Sequence, residues 1–495
     1  MDVQRRRLVL ASLLVAMFLS AMEGTIVATA MPTIIGDLGG FSLFAWVFSL
    51  FLLAQVASIP IYGRLSDVWG RKRVFSIGMI IFLLGSLLCG FSHSMVMLII
   101  SRAIQGIGAG AIQPVASTIV GDMYALRERA RVQGYISGAW ALASIIGPTF
   151  GGLIVQVIGW PWIFWINVPI GLAAWLGIFL FHREELTLQK HTIDYVGSLT
   201  LVIGISALIL ALVQGGVVWS WLSWQSMFSF TSFLLFTILF ILRQRVAAEP
   251  ILPLHLLSTR NVALANGIAL IIGGITYGIS SFTPTFAQGV LGTSPVVAGL
   301  TIATLSIGWP IAASLSGPII LSRGYRYSFI LGLSVTLLAT IIYPFLLTPY
   351  SNAWLLGVGT AMFGFGLGLS STTSLLLVQT AVSYDQRGVS TGVNMFSRTL
   401  GSSLWVAILG SIMDGVIASR LRVQSGVQSN QGATLNVTNV LLDPVARAQL
   451  PLAKLHVLTH ALATGIDRAF WFVCASALVG IILTWFVSST IPQQQ

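Results

Sequence analysis

What most limits the fold of this chain is a recurrence. Again and again the sequence runs for about 20 residues almost without charge, the length an α-helix needs to cross the core of a bilayer. Fourteen such stretches are read, near residues 8–31, 44–62, 74–91, 95–121, 133–157, 162–181, 195–214, 222–242, 262–286, 297–318, 328–347, 353–377, 389–412 and 468–489. The first follows Arg5-Arg6-Arg7 as in a signal peptide, but it is long, contains Glu23 and has no clear cleavage site, so it reads as a retained helix. Of the 495 residues, 56% are hydrophobic and 8% charged, whereas roughly a quarter are charged in an average globular protein. A water-facing surface cannot be covered with so little charge, which excludes a soluble enzyme and a disordered chain alike. The pattern predicts an all-α polytopic membrane protein with 14 transmembrane helices.

The net charge of +11 is a matter of placement. Basic residues resist translocation and collect on the cytoplasmic side. Of the 25 Lys and Arg, 18 fall in one set of alternate connections, among them Arg5–Arg7, Arg64, Arg71–Arg73, Arg127–Arg131, Arg243, Arg323 and Arg387. Five belong to the long segment 413–467 and the exit from it, and long loops are exempt from the rule. The expectation is a multi-pass protein of the cytoplasmic (inner) membrane with both termini inside, surrounded by lipid and binding no nucleic acid. The two cysteines, Cys89 and Cys474, lie in apolar runs and read as packing residues.

The chain repeats itself at a nearly constant offset. A shift of 258 carries Gly106, Gly108, Gly110, Arg129 and Gly134 onto Gly364, Gly366, Gly368, Arg387 and Gly392, and a shift of 254 carries Gly63, Gly70 and Lys72 onto Gly317, Gly324 and Arg326. Internal repeats of this kind belong to transporters built from related halves. The expected organisation is two pseudo-symmetric six-helix bundles, residues 1–190 and 259–495, with two inserted helices in 191–258. An external loop is expected over 413–467, carrying near 443–464 an amphipathic helix that lies on the outer surface or caps the exit.

Several motifs now carry a family resemblance over nearly the whole length. Gly63-Arg-Leu-Ser-Asp67-Val-Trp-Gly70-Arg71-Lys72-Arg73 resembles the hallmark loop of the major facilitator superfamily. Arg102 with Gln105-Gly106-Ile-Gly108-Ala-Gly110 resembles its second motif, and Gly147-Pro148-Thr-Phe-Gly151-Gly152 the motif of its antiporters. Glu23-Gly-Thr25 through Pro32, with Trp162 through Gly171 around Asn167, is similar to the fourteen-helix drug:proton antiporter branch. Glu23 stands where aspartate is more usual, and Pro161 where arginine is common. The resemblance implies an alternating-access exporter of lipophilic or cationic compounds, driven by protons, without cofactor or metal and functional as a monomer. The same fold carrying a lipid, siderophore or other metabolite is the alternative cargo reading.

Ionisable residues inside membrane spans are costly and mark function. There are three: Glu23, Arg102 and Arg398. At 1.5 Å per residue, Glu23 and Arg102 fall at a common depth, suited either to proton coupling or to a structural ion pair. Arg398, one turn beyond Asn394, either touches substrate or satisfies backbone carbonyls. Asp67 is suited to cap a helix N-terminus or pair with Arg71, and the resemblance implies a latch closed toward the cytoplasm. Leu321 occupies the matching place in the second copy, so the latch is one-sided. Gly63, Gly70, Gly147, Pro148 and Gly151 complete the switching set. Aromatic side chains give deformable, cation-attracting walls, and Trp46, Trp140, Tyr277, Trp309 and Phe363 are the cavity candidates with Asn394 and Arg398. No phosphate-cradling loop, zinc spacing or nucleophile elbow supports an enzyme.

Overall fold

The computed structural model describes residues 3–39, 43–184, 194–215, 219–247, 250, 259–293, 295–346, 352–425, 437, 440–441 and 447–488. Among them the structure is helical, relieved only by short turns and one isolated bridge between Gly215 and Trp219. The helices in chain order are α1 (Val3–Leu38), α2 (Phe44–Trp69), α3 (Arg71–Gly90), α4 (Met95–Met123), α5 (Leu126–Val157), α6 (Trp162–Trp165) and α7 (Asn167–Phe181). They continue with α8 (Tyr195–Gln214), α9 (Trp224–Val246), α10 (Arg260–Gly289), α11 (Pro295–Leu346), α12 (Ala353–Thr380), α13 (Arg387–Ser425) and α14 (Leu452–Trp485). Eleven helical stretches among the described residues are long and apolar enough to cross a membrane.

Local chemistry sets the breaks. Ser94 accepts a hydrogen bond from the Met97 N–H at 3.2 Å and so caps α4. Pro169 cannot donate to the Trp165 carbonyl, and there the apolar stretch 162–181 divides into α6 and α7. The α2–α3 corner is made by Gly70 at φ 90°, a conformation that disfavours other residues. The 52-residue α11 turns the same way at Gly324, φ 81°, so it contains two apolar segments rather than one. Gly324 is the residue that the shift of 254 pairs with Gly70.

One expectation needs correction. The segment 413–467 is not a loop throughout, because α13 continues to Ser425 and α14 already begins at Leu452. Leu458, Leu462, Ile466, Phe470 and Val473 are buried at helical spacing, so the amphipathic stretch shares its apolar face with the following span and fuses with it. Residues 443–446, the start of the expected surface helix, lie outside the described ones.

The chain forms two compact units. One gathers Met1–Ile209, Thr231–Ala263 and Leu375–Phe396; the other gathers Leu210–Phe230, Leu264–Ser374 and Ser397–Gln495. Lipid tails are as apolar as leucine, so helices in a membrane associate through close packing more than through burial. The glycines of α4 show this. A β-carbon on Gly106 would strike the Phe51 carbonyl of α2, one on Gly110 would come 2.7 Å from the Gln55 carbonyl, and one on Gly108 would meet Phe82 and Gly78 of α3.

In the second unit Gly364 and Gly368 of α12 meet the carbonyls of Leu305 and Trp309, while Gly366 meets Thr336 and Gly332. The neighbours Phe51, Gln55, Gly78 and Phe82 become Leu305, Trp309, Gly332 and Thr336 under the shift of 254. What repeats in the sequence is therefore a pattern of backbone packing. Beside the second seam lies a buried aromatic cluster, Tyr343, Phe363 and Phe470, with the Tyr343 hydroxyl 3.0 Å from Thr283 Oγ1 and 3.1 Å from Thr360 Oγ1.

Candidate functional site

Four passes of the first unit converge on one buried polar cluster. Glu23 comes from α1, Ser86 and Cys89 from α3, Arg102 and Gln105 from α4, and Asn167 from the first residue of α7. Glu23, Ser86, Gln105 and Asn167 are completely buried, and Arg102 nearly so. Arg102 Nη1 donates to Glu23 Oε1 at 2.5 Å and to Gln105 Oε1 at 2.7 Å. Its guanidinium carbon lies 3.9 Å from the centre of the Phe51 ring. Asn167 Nδ2 donates to Glu23 Oε2 at 2.6 Å and to Ser86 Oγ at 2.8 Å, and Gln105 Nε2 donates to Ser86 Oγ at 2.9 Å.

A carboxylate in such a place is stable only because an arginine and an amide meet both of its oxygens; removing the arginine leaves a buried charge uncompensated, and removing the amide leaves one oxygen without its donor. Chemically the cluster can hold a proton, give it up, and exchange an internal cation for an external one. Gly147 sits beside it. A β-carbon there would collide with Thr25 Oγ1, so α5 approaches α1 two residues from Glu23. Gly151 is buried on the same helix, and the side chain of Pro148 lies outside the described ones.

A second cluster gathers at the α2–α3 corner. Asp67 Oδ1 accepts from the Gly388 N–H at 2.9 Å and Oδ2 from the Val389 N–H at 2.8 Å, both in the first turn of α13. Such free N–H groups and the helix dipole favour an anion. Arg71 Nη2 pairs with Asp67 at 3.0 Å and donates to the Tyr384 carbonyl at 2.8 Å, while its Nε donates to Asp122 Oδ2 at 3.1 Å. Asp122 also accepts from Arg387 at 3.1 Å, and Glu184 accepts from the backbone N–H groups of Arg71 at 2.8 Å and Lys72 at 3.1 Å. Gly63 permits the approach, since a β-carbon on it would lie 2.9 Å from the Gly388 carbonyl oxygen. Nearby, burial pushes the His182 imidazole down, aided by the Lys72 and Arg71 charges and opposed by Glu184.

The cavity candidates fall in both units. Trp46 and Trp140 lie in the first unit, half-buried and exposed respectively, and Asn394 is buried there. Tyr277, Trp309 and Arg398 are half-buried in the second unit, where Arg398 Nη1 donates to Ser371 Oγ at 3.2 Å. Phe363 is wholly buried in the aromatic cluster described above, so it supports the helix packing and offers no open surface. The sequence alone marks no role for Ser86, Gln105, Asn167, Asp122 or Glu184. Gln105 and Asn167 lie within the motifs but carry no charge to single them out, and Asp122 and Glu184 fall just past the ends of apolar stretches. Ser86 gave no signal.

Among the described residues no three His, Cys, Asp or Glu side chains stand close enough to hold a metal ion. The model of the Major Facilitator Superfamily matches residues 13–194 and again 189–406. The chain belongs to this superfamily. Within the superfamily it is similar to Multidrug resistance protein 3 of Bacillus subtilis (strain 168), 34% identical over 482 residues, covering 96% of this chain and 93% of that protein. It is also 35% identical over 413 residues to the Multidrug transporter protein MdtP of the same organism, covering 83% and 76%. In fold it resembles the proton:xylose symporter XylE solved with 6-bromo-6-deoxy-D-glucose, with a TM-score of 0.64 and 12% identity over 99% of this chain and 97% of that one. Superfamily members are transporters, in general not enzymes, and this chain is a multi-pass membrane transporter with a small-molecule substrate.

Proposed function

We propose that the protein is a proton-coupled antiporter that exports lipophilic or cationic drugs across the cytoplasmic membrane. In this reading it crosses the membrane fourteen times, with both termini inside. The six-helix regions 1–190 and 259–495 flank the inserted pair 191–258, and a single copy works on the proton gradient without a cofactor. The observation that carries the reading is the Glu23–Arg102 pair, which joins α1 to α4 at 2.5 Å with almost no solvent contact. The multidrug names of relatives at 34% and 35% identity support the substrate class.

The mechanism follows from linkage: exchange requires that proton and drug disfavour each other. Glu23 takes a proton from the outer aqueous side, which frees the Arg102 contact. Facing inward it returns the proton as a cationic drug draws the carboxylate into its charged form. The Asp67 contacts hold the inner side closed until the proton arrives. Gly63, Gly70, Arg71, Gly147, Pro148 and Gly151 shape the moving parts, while Trp46, Trp140, Tyr277, Trp309, Asn394 and Arg398 remain candidates for contact with the drug.

The test uses vesicles containing the purified protein. An inside-acid gradient drives ethidium-like dyes inward through inverted molecules, and adding dye to the protein in detergent releases protons. Glu23→Gln is expected to abolish both. Unchanged dye movement and proton release in Glu23→Gln sink the coupling role. Competition by anionic metabolites in place of cationic dyes overturns the drug assignment.

A further inference from the structure

We propose that Asn167 reads the protonation state of Glu23 and conveys it to the sixth membrane pass by rotating its side-chain amide. The proposal rests on the proton-exchange reading above and adds a positioning residue to it. Three observations carry it. Asn167 Nδ2 points at Glu23 Oε2, 2.6 Å away, and at Ser86 Oγ, 2.8 Å away. Asn167 Oδ1 is buried with no hydrogen-bond partner among the described residues. Ser86 Oγ has used its full capacity, accepting from Asn167 and Gln105 and donating to the Phe164 carbonyl at 3.1 Å.

These contacts fit a charged Glu23 and no other. Oε1 is occupied by Arg102, so an incoming proton, delivered from the outer aqueous side, forms its O–H bond at Oε2. That hydroxyl must donate, yet it faces an amide nitrogen that can only donate as well. Rotating the amide by about 180° brings the unused Oδ1 opposite the new hydroxyl and restores the hydrogen bond.

The rotation has a second effect. Nδ2 leaves Ser86 and turns its N–H groups to where Oδ1 had no hydrogen-bond partner among the described residues, and unpaired buried N–H groups are tolerated less well than unpaired carbonyls. The mismatch has moved from α1 to the first residue of α7. There Pro169 already interrupts the helical ladder, and the pass has freedom to shift. The other titratable groups of the cluster are Arg102 on α4 and Cys89 on α3, the latter 3.7 Å from Gln105 Oε1. Neither lies between Asn167 and Glu23 Oε2.

The experiment compares drug-dependent proton release across pH for wild type, Asn167→Ala, Asn167→Asp and Glu23→Gln, together with the infrared band of the protonated Glu23 carboxyl. In Asn167→Ala the midpoint is expected to rise by about one pH unit, because the charged form loses a hydrogen bond roughly twice as strong as the one the protonated form loses. The carboxyl band moves to higher frequency, because its hydroxyl no longer has an acceptor. A residue that merely filled space would alter neither. Asn167→Asp, of the same shape but without N–H groups, raises the midpoint at least as far and carries the test if the alanine variant does not reach the membrane. A wild-type midpoint and carboxyl band in both variants, with Glu23→Gln inactive, overturn the role of Asn167 and leave the exchange reading standing. Full proton release by Glu23→Gln overturns both.

Discussion

Neutralising Asp67 tests whether the α2–α3 corner holds the first turn of α13. In Asp67→Asn one oxygen still accepts a backbone N–H, but the new amide group faces the other N–H donor. The loss is one charge-assisted hydrogen bond, about 1.5–3 kcal/mol, plus about 0.3–1 kcal/mol of helix-dipole attraction. Arg71 keeps Asp122 and the Tyr384 carbonyl, at 3.1 and 2.8 Å, so its own charge stays compensated. Removing a buried charge also relieves part of its desolvation cost, which sets the expected change near the lower end, about 2 kcal/mol.

At about 1.4 kcal/mol per tenfold change, separation of this corner becomes roughly 30-fold more populated. Ser390 is a suitable reporter, being buried with a hydroxyl that has no hydrogen-bond partner among the described residues, so replacement by cysteine breaks no observed hydrogen bond. The native Cys89 and Cys474 are both buried and stay silent. The rate at which an impermeant maleimide labels Ser390→Cys follows the open population. A ratio below about 3 between Asp67→Asn and the parent refutes the reasoning.

Three shorter tests follow from the packing and charge. Gly147→Ala forces a methyl group into Thr25 and is expected to cost about 1–3 kcal/mol, whereas Gly138, with no described residue within 4 Å of its β-position, accepts alanine and gains up to about 1 kcal/mol of helix propensity; thermal unfolding in detergent compares them. Gly106→Ala and Gly364→Ala, at equivalent places in the two seams, lower the melting temperature alike if the packing repeat is real. His182 has a folded-state affinity for protons below that of an unfolded histidine, chiefly through burial. Its contribution is therefore fully present above about pH 6.5 and is lost as pH falls through the lowered value, so His182→Gln flattens the decline in melting temperature between pH 7.5 and 5.5.

Helix positions were legible because apolar run length is a one-dimensional property. Orientation-specific contacts were legible only where charge interrupted such a run, as at Glu23 and Arg102, or where glycine recurred, as at Gly106, Gly108 and Gly110. Asn167 and Ser86 escaped because neutral polar residues are common in helices, and their partners come from other passes. Phe363 looked like a cavity wall because composition does not tell an aromatic side chain facing space from one stacked on Tyr343. The merger of 452–467 with the last span was concealed by Arg468, a charge in the middle of what is a single helix.

The carbonyl-against-glycine seams of α2, α3 and α4 have a mechanical consequence. Where backbone rests on backbone there are no rotamers to absorb a displacement, so these three helices behave as a stiff plate. Compliance has to come from elsewhere. Among the described residues Gly24 in α1 and Gly138 and Gly152 in α5 have no neighbour within 4 Å of their β-positions, which leaves room for those two helices to bend. In the first unit, the plate supplies the lever and the α1–α5 pair, which carries Glu23, supplies the spring.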